Sequence, residues 1–215
     1  MWSATWDADP SPVVALESRF LAPLLGDPRG KVVLDVACGT GRWLAWMRER
    51  GALVAGVDFS REMLDRAAAK PGLRGRLAVA DSRRLPVADG CAAVVLCALA
   101  LGHVRPLEMV VFELGRAVRP GGSLVVSDFH PDAARRGWKR TFRRGAQVYE
   151  IENHPYTTDE LLAAARSTGL ELDQLREPSF GEEERKIFQR AGKEQLLEVT
   201  RGVPAVLIVR WTRPR

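Results

Sequence analysis

Val33-Leu34-Asp35-Val36-Ala37-Cys38-Gly39-Thr40-Gly41-Arg42-Trp43 is the stretch that decides the fold. Lys31–Ala37 has the composition of a strand buried on both faces. A Gly-x-Gly turn follows. A helix is then expected over Gly41–Arg50, with Trp43, Trp46 and Met47 on one side and Gly51 as its stop. Glycines let the backbone turn tightly and admit a ligand where a Cβ would otherwise stand. Free N–H groups at the following helix start can bind a carboxylate or phosphate. An ordinary tight turn uses the same residues. A dinucleotide fingerprint needs a third glycine three residues after Gly41, where Leu44 stands, and no Gly-Lys-Ser/Thr phosphate loop is present.

Outward from this stretch, strands alternate with helices. Ala52–Val57, Arg76–Ala80, the fully apolar Ala92–Cys97 and Ser123–Ser127 are expected as strands. Arg61–Lys70, capped by Ser60 and ended by Pro71-Gly72, and Pro106–Val118 are expected as helices, with a turn at Arg119-Pro120-Gly121-Gly122. Apolar strands separated by helices imply an α/β fold: a parallel sheet with helices on both faces. Thr157 and Glu160 have capping-box spacing and should open a helix that Gly169 stops. Leu170–Arg176 and Ala205–Trp211 are further strands, and Glu182–Thr200 is expected as one charged amphipathic helix. The expected organisation is one domain over 1–215. It has an N-terminal helical cap in 1–30 (a helix Val13–Leu25 interrupted by Pro23) and an irregular basic insertion over 131–156.

Acids punctuate the next two strand ends. Asp58 closes the second strand, where a carboxylate can accept from vicinal ribose hydroxyls. Asp81, followed by Ser82, closes the third, where a carboxylate can accept from an adenine amine. Each alone also fits a cap or a turn. Two in succession beside a Gly-x-Gly turn favour an adenosine site at the carboxyl ends of the strands.

Taken in order, VLDVACGTGRW (33–43), VAGVDFSREML (54–64), ADSRRLPVADG (80–90), CAAVVLCALALGHV (91–104) and VRPGGSL (118–124) resemble the motifs of the class I S-adenosylmethionine-dependent methyltransferases, in their small-molecule branch. The resemblance covers about Lys31–Asp128 and implies a Rossmann-like seven-stranded sheet, mostly parallel, with an antiparallel last strand. It implies S-adenosylmethionine as cofactor and S-adenosylhomocysteine as product. By resemblance, Asp35, Ala37, Gly39 and Gly41 surround the methionine part of the donor. Arg42 meets its carboxylate or is solvated. Asp58 binds ribose, Phe59 lines the adenine, Asp81 and Ser82 bind it, and Cys97, Ala98 and Leu99 form the floor under the amino group and sulfonium.

A sulfonium methyl is already activated, so the protein must chiefly align the acceptor, and a base is needed only where the acceptor keeps its proton. His103, after the fourth strand, is the first base candidate; Gly102 stands where the family often has the other half of a histidine pair. A pocket-shaping role fits His103 as well. His130, after the fifth strand, is the second candidate, with a turn role as its alternative, and His154 reads as a loop residue. No metal-ligand spacing is present. Arg135–Arg144 holds six basic residues in ten, and Trp138 and Phe142 fall on one face if it is helical. It reads as a substrate lid with Trp138, Arg140 and, from a short strand over Gln147–Glu152, Tyr149 near substrate; a solvated basic helix has the same pattern. Trp2 and Trp6 are candidates to close the other side.

Composition sets the outer limits. The 215 residues are 46% hydrophobic and 27% charged, ordinary for a globular protein, and the net charge of +5 comes mostly from Arg. That balance permits an anionic partner without requiring nucleic acid. Three cysteines are too few for a disulfide framework, and neither a secretory signal nor a membrane-length apolar run is visible, so a cytoplasmic protein is expected. The expected activity is methyl transfer to a small molecule. An RNA or protein methyltransferase using the basic lid, or a non-catalytic protein that holds the cofactor, are the alternatives; the sequence is silent on oligomeric state.

Overall fold

The computed structural model describes residues 11–144 and 147–215. In chain order the elements are α1 (Pro12–Leu21), β1 (Val32–Val36), α2 (Arg42–Glu49), β2 (Leu53–Asp58), α3 (Arg61–Ala68), β3 (Leu77–Val79), β4 (Ala92–Ala98), α4 (Leu107–Ala117) and β5 (Val118–Phe129). Then come α5 (Pro131–Arg135), β6 (Thr141–Arg144), β7 (Gln147–Glu150), α6 (Thr158–Ala165), β8 (Glu171–Arg176), α7 (Arg185–Arg190), α8 (Gln195–Thr200) and β9 (Val206–Thr212). Seven strands form one sheet in the order β3-β2-β1-β4-β5-β9-β8. β1 to β5 pair in parallel, and β9 runs antiparallel between β5 and β8.

The sheet is covered on both faces because its strands alternate apolar residues to two cores. Leu34, Val36, Leu124 and Val126 face Val110, Leu114 and Leu161 of α4 and α6. Val33 and Val125 face Leu16, Trp43, Met47 and Phe188 of α1, α2 and α7. The period-2 alternation of a strand makes both faces apolar at once. Strand order places the carboxyl ends of β1, β2, β3 and β4 along one edge, on either side of the reversal between β1 and β4, where a doubly wound sheet opens its crevice.

Several local expectations change. α1 stops at Leu21 and Ala22–Leu25 form a 3-10 turn, because Pro23 has no N–H to continue the helix. The turn at 119–122 lies within β5 as a bulge, where the register with β4 jumps between Ala92 and Val94. Arg135–Arg144 is not a helix: α5 ends at Arg135, Gly137 takes φ +79°, and the chain continues into β6, which pairs antiparallel with β7. Phe142 therefore stands opposite Tyr149 in a two-stranded ribbon and shares no helical face with Trp138. The expected helix 182–200 is two short helices after a 3-10 turn, parted at Gly192 with φ +65°. Thr157 and Glu160 do form a reciprocal capping box, and it opens α6.

Candidate functional site

At the end of β1 the chain turns through three residues of positive φ: Ala37 at +56°, Gly39 at +54° and Gly41 at +75°. The two glycines serve different ends. A Cβ on Gly41 would lie 3.0 Å from both Ala67 and Leu73, so this glycine lets the start of α2 pack against α3. A Cβ on Gly39 would meet nothing within 4 Å; it faces a cavity of about 530 Å³ at the strand ends. That volume lies inside the ~300–1,000 Å³ span of small-molecule sites.

Asp35, Ala37, Gly39, Arg42, Asp58 and Phe59 line this cavity, as do Asp81, Ser82, Ala98 and His103. Asp58 bridges two loops: Oδ2 accepts from the Gly39 N–H at 2.8 Å and Oδ1 from the Ser60 N–H at 2.8 Å. Capping of α3 falls to Ser60, whose Oγ accepts from the Met63 N–H. Each Asp58 oxygen keeps a second lone pair for an incoming donor. Phe59 is 78% exposed at the rim. Asp81 accepts from the Arg83 backbone N–H and from its guanidinium, and the guanidinium contacts, first, and the backbone bond hold its pKa below the usual carboxylate value. It is thus a turn residue and a cavity wall at once. Asp35 is buried, and burial pushes its pKa well up against the opposing pull of Arg42.

Cys97 is a correction. It is buried within β4 in the α4–α6 core, where burial pushes its thiol pKa up; the cavity floor begins one residue later, at Ala98 and Leu99. Gly41 is a second, since it shapes the turn without lining the space. Arg42 lines the cavity with its guanidinium held by two partners. Nη1 donates to Ser18 Oγ at 2.7 Å and Nη2 to Glu17 Oε2 at 2.9 Å.

His103 stands at the cavity rim with both ring nitrogens engaged. Arg140 Nη1 lies 2.9 Å from Nε2, and the Glu152 carbonyl lies 2.8 Å from Nδ1. A guanidinium only donates, so Nε2 must accept and Nδ1–H must donate to Glu152. Desolvation and then the Arg140 charge hold the pKa below 6.5. The ring is a neutral strut whose lone pair is occupied, which removes it from the position of a ready base. His130 is also corrected: it is buried away from the cavity, Nδ1 accepts from the Asp132 N–H to cap α5, and Nε2 faces Glu177 at 3.2 Å.

Of the three acceptor-side candidates, none lines the cavity. Trp138 stacks on Phe180 at 6.0 Å between centroids, and the Tyr149 hydroxyl donates to Gln147. Arg140 comes nearest. Buried, it donates to the Leu99 carbonyl at 2.9 Å and to Asn153 Oδ1 at 3.3 Å, and faces Asp128 at 3.7 Å. Gly102 has a packing reason here, since a Cβ would stand 2.4 Å from Asn153 Oδ1. Trp2 and Trp6 lie outside the described residues. Sequence reasoning missed Trp43, Met63 and Arg105 as lining residues, and Glu17 behind Arg42. The signal for Glu17 was an acid among the apolar positions of α1, between Leu16 and Leu21. Among the described residues no group of His, Cys, Asp and Glu could hold a metal, and no helix is long and apolar enough to cross a membrane.

The sequence of a methyltransferase domain matches residues 33–122, which contain the turn and both strand-end acids. That match takes in under half of the chain. The chain is 38% identical over 123 residues to the malonyl-[acyl-carrier protein] O-methyltransferase of Xylella fastidiosa, covering 54% of this chain and 42% of that protein. It is 40% identical over 106 residues to the demethylmenaquinone methyltransferase of Thermus thermophilus, covering 47% and 48%. These matches span less than half of each relative's length. In fold, the whole chain is similar to an S-adenosylmethionine-dependent methyltransferase from Mesorhizobium loti, with a TM-score of 0.74 at 24% identity over 94% of this chain and 100% of that one.

Proposed function

We infer that this chain transfers the methyl group of S-adenosylmethionine to a small-molecule acceptor, releasing S-adenosylhomocysteine. The observation that carries this is the open face of Gly39 beside Asp58, in a cavity whose opposite wall is Asp81 and Ser82. The residues fit an adenosyl donor: backbone without a Cβ at the turn, a carboxylate with lone pairs to spare for vicinal hydroxyls, and a second carboxylate one strand further along. When bound, the donor supplies a methyl carbon activated by positive sulfur; its bond to sulfur breaks as the bond to the acceptor forms, and the electron pair stays on sulfur.

The chain's own residues bind and align. Asp58 and the turn fix the donor end, and Ala98 and Leu99 form the floor toward the acceptor. Segment 131–156 is the lid in this reading, with Arg140 tying it to Leu99 and His103. α1 and the 3-10 turn after it are the cap, held to Arg42 by Glu17 and Ser18. Because the His103 lone pair is taken, the acceptor reacts at an atom that needs no proton removed by that ring. The basic stretch weighs toward a small molecule too: Lys139 pairs with Glu150, Arg135 with Asp132, and Arg140 is buried. Three cysteines without a disulfide support a cytoplasmic location.

Turnover of labelled donor against phenol, carboxylate and amine acceptors, with RNA and protein as parallel arms, tests the assignment. Methyl transfer to a small molecule is expected. Transfer only to RNA or protein would overturn it, and donor binding without any transfer would favour a non-catalytic role.

A further inference from the structure

Glu17 is fully buried on α1, and neither the glycine turn nor the strand-end acids account for it. Its carboxylate takes three donors, two from the start of α2 and one from β5. Oε2 accepts from Arg42 Nη2 at 2.9 Å, and Oε1 from Trp43 Nε1 at 3.3 Å and Ser127 Oγ at 2.8 Å. Ser127 in turn receives the Leu99 N–H, on its carbonyl at 2.8 Å and its Oγ at 3.3 Å. Leu99 holds φ +54°, a conformation a leucine keeps only where its surroundings fix it. Arg42, Trp43 and Leu99 all line the cavity. One side chain from the N-terminal helix therefore ties the helix start after the glycine turn to the floor at the end of β4.

A buried carboxylate costs free energy unless each oxygen is satisfied, and a packing contact between α1 and the sheet needs no charge at all. The ion pair also does something specific to Arg42. With Ser18 it takes up one N–H of each terminal guanidinium nitrogen and holds the group at the wall next to the turn. A guanidinium has five N–H donors, so others remain.

We propose that Glu17 is a positioning residue for the amino-acid end of the donor: it holds the Arg42 guanidinium where the donor's carboxylate can share it and, through Ser127, steadies Leu99 beneath. The proposal rests on the donor reading above. Glu17→Gln keeps the shape and an acceptor for Ser127 and Trp43, but turns an amide toward Arg42 that releases it.

The test is calorimetric binding of two ligands, S-adenosylhomocysteine and 5′-methylthioadenosine; the second keeps the adenosine and thioether and lacks the amino-acid group. Glu17→Gln should weaken S-adenosylhomocysteine about tenfold or more, the scale of one charge-assisted contact, and leave methylthioadenosine unchanged. Arg42→Gln, which can still donate to Glu17, should show the same selective loss and carries the comparison if Glu17→Gln fails to fold. Parallel losses for both ligands, or no loss for either, would overturn the proposal. Failure of the unaltered protein to bind either ligand would instead remove the donor reading itself.

Discussion

On the donor side of the cavity, Asp58 reaches the Gly39 N–H because β1 and β2 pair in parallel with Val36 opposite Val57, which brings the two strand ends level. Asp58 and Asp81 then accept from backbone N–H groups two residues further on, at Ser60 and Arg83. On the acceptor side, Arg140 comes from 41 residues away to reach Leu99, and Glu152 from 49 residues away to reach His103. The donor side is built from short turns on a fixed sheet register. The acceptor side is held by a few long-range contacts that meet at one arginine. In the proposed reading, the first can be kept while the second is altered.

The most disruptive way to probe that separation is Arg140→Met. It removes a buried cation shared by Leu99, His103, Asn153 and Asp128 and should cost about 3 kcal/mol in urea unfolding, the scale of breaking a buried pair. Donor affinity should fall far less than stability, because Leu99 is the one direct partner of Arg140 that also lies under the donor in this reading. If it falls in step with stability, the two sides are one unit. Asp58→Ala is the converse, with an expected loss of about 2 kcal/mol in S-adenosylhomocysteine affinity from the hydrogen bonds removed. Unchanged affinity would take Asp58 out of the site.

Gly102→Ala is milder. Its Cβ would push Asn153 aside, at a cost of about 1 kcal/mol in stability, with turnover falling before donor binding does. The smallest effect is a pH dependence. His103 has its pKa lowered in the fold from 6.5, so the stability of its neutral form is complete above that value and declines as the pH falls through it toward the lowered one. His103→Gln should flatten this part of the unfolding curve. A turnover profile governed by a His103 titration near neutrality would contradict the occupied lone pair.

The same contrast explains what was legible in the sequence. The parallel strands and the strand-end acids could be read because each depends on a local pattern: apolar runs, a Gly-x-Gly turn, an acid at a strand terminus. The antiparallel last strand came only with the family resemblance. Helix 135–144 was misread because Trp138 and Phe142 have helical spacing, while Gly137, the residue that ends α5, is a single glycine inside a basic run. His130 looked like a pocket residue by its place after β5, yet its ring turns inward to cap α5. Cys97 missed the floor by one residue, since alternation along β4 sends it to the core. Glu17 and Arg140 were out of reach as partners because their contacts, to Ser127 at 110 residues' separation and to Leu99 at 41, exist only once the sheet is formed.

Everything here depends on the space between Gly39, Asp58 and Asp81 receiving the adenosyl donor. Titration calorimetry of the unaltered protein with S-adenosylhomocysteine addresses that directly. The expected result is saturable one-to-one binding that weakens in Asp58→Ala and persists in Arg140→Met. A flat titration up to millimolar ligand would contradict it.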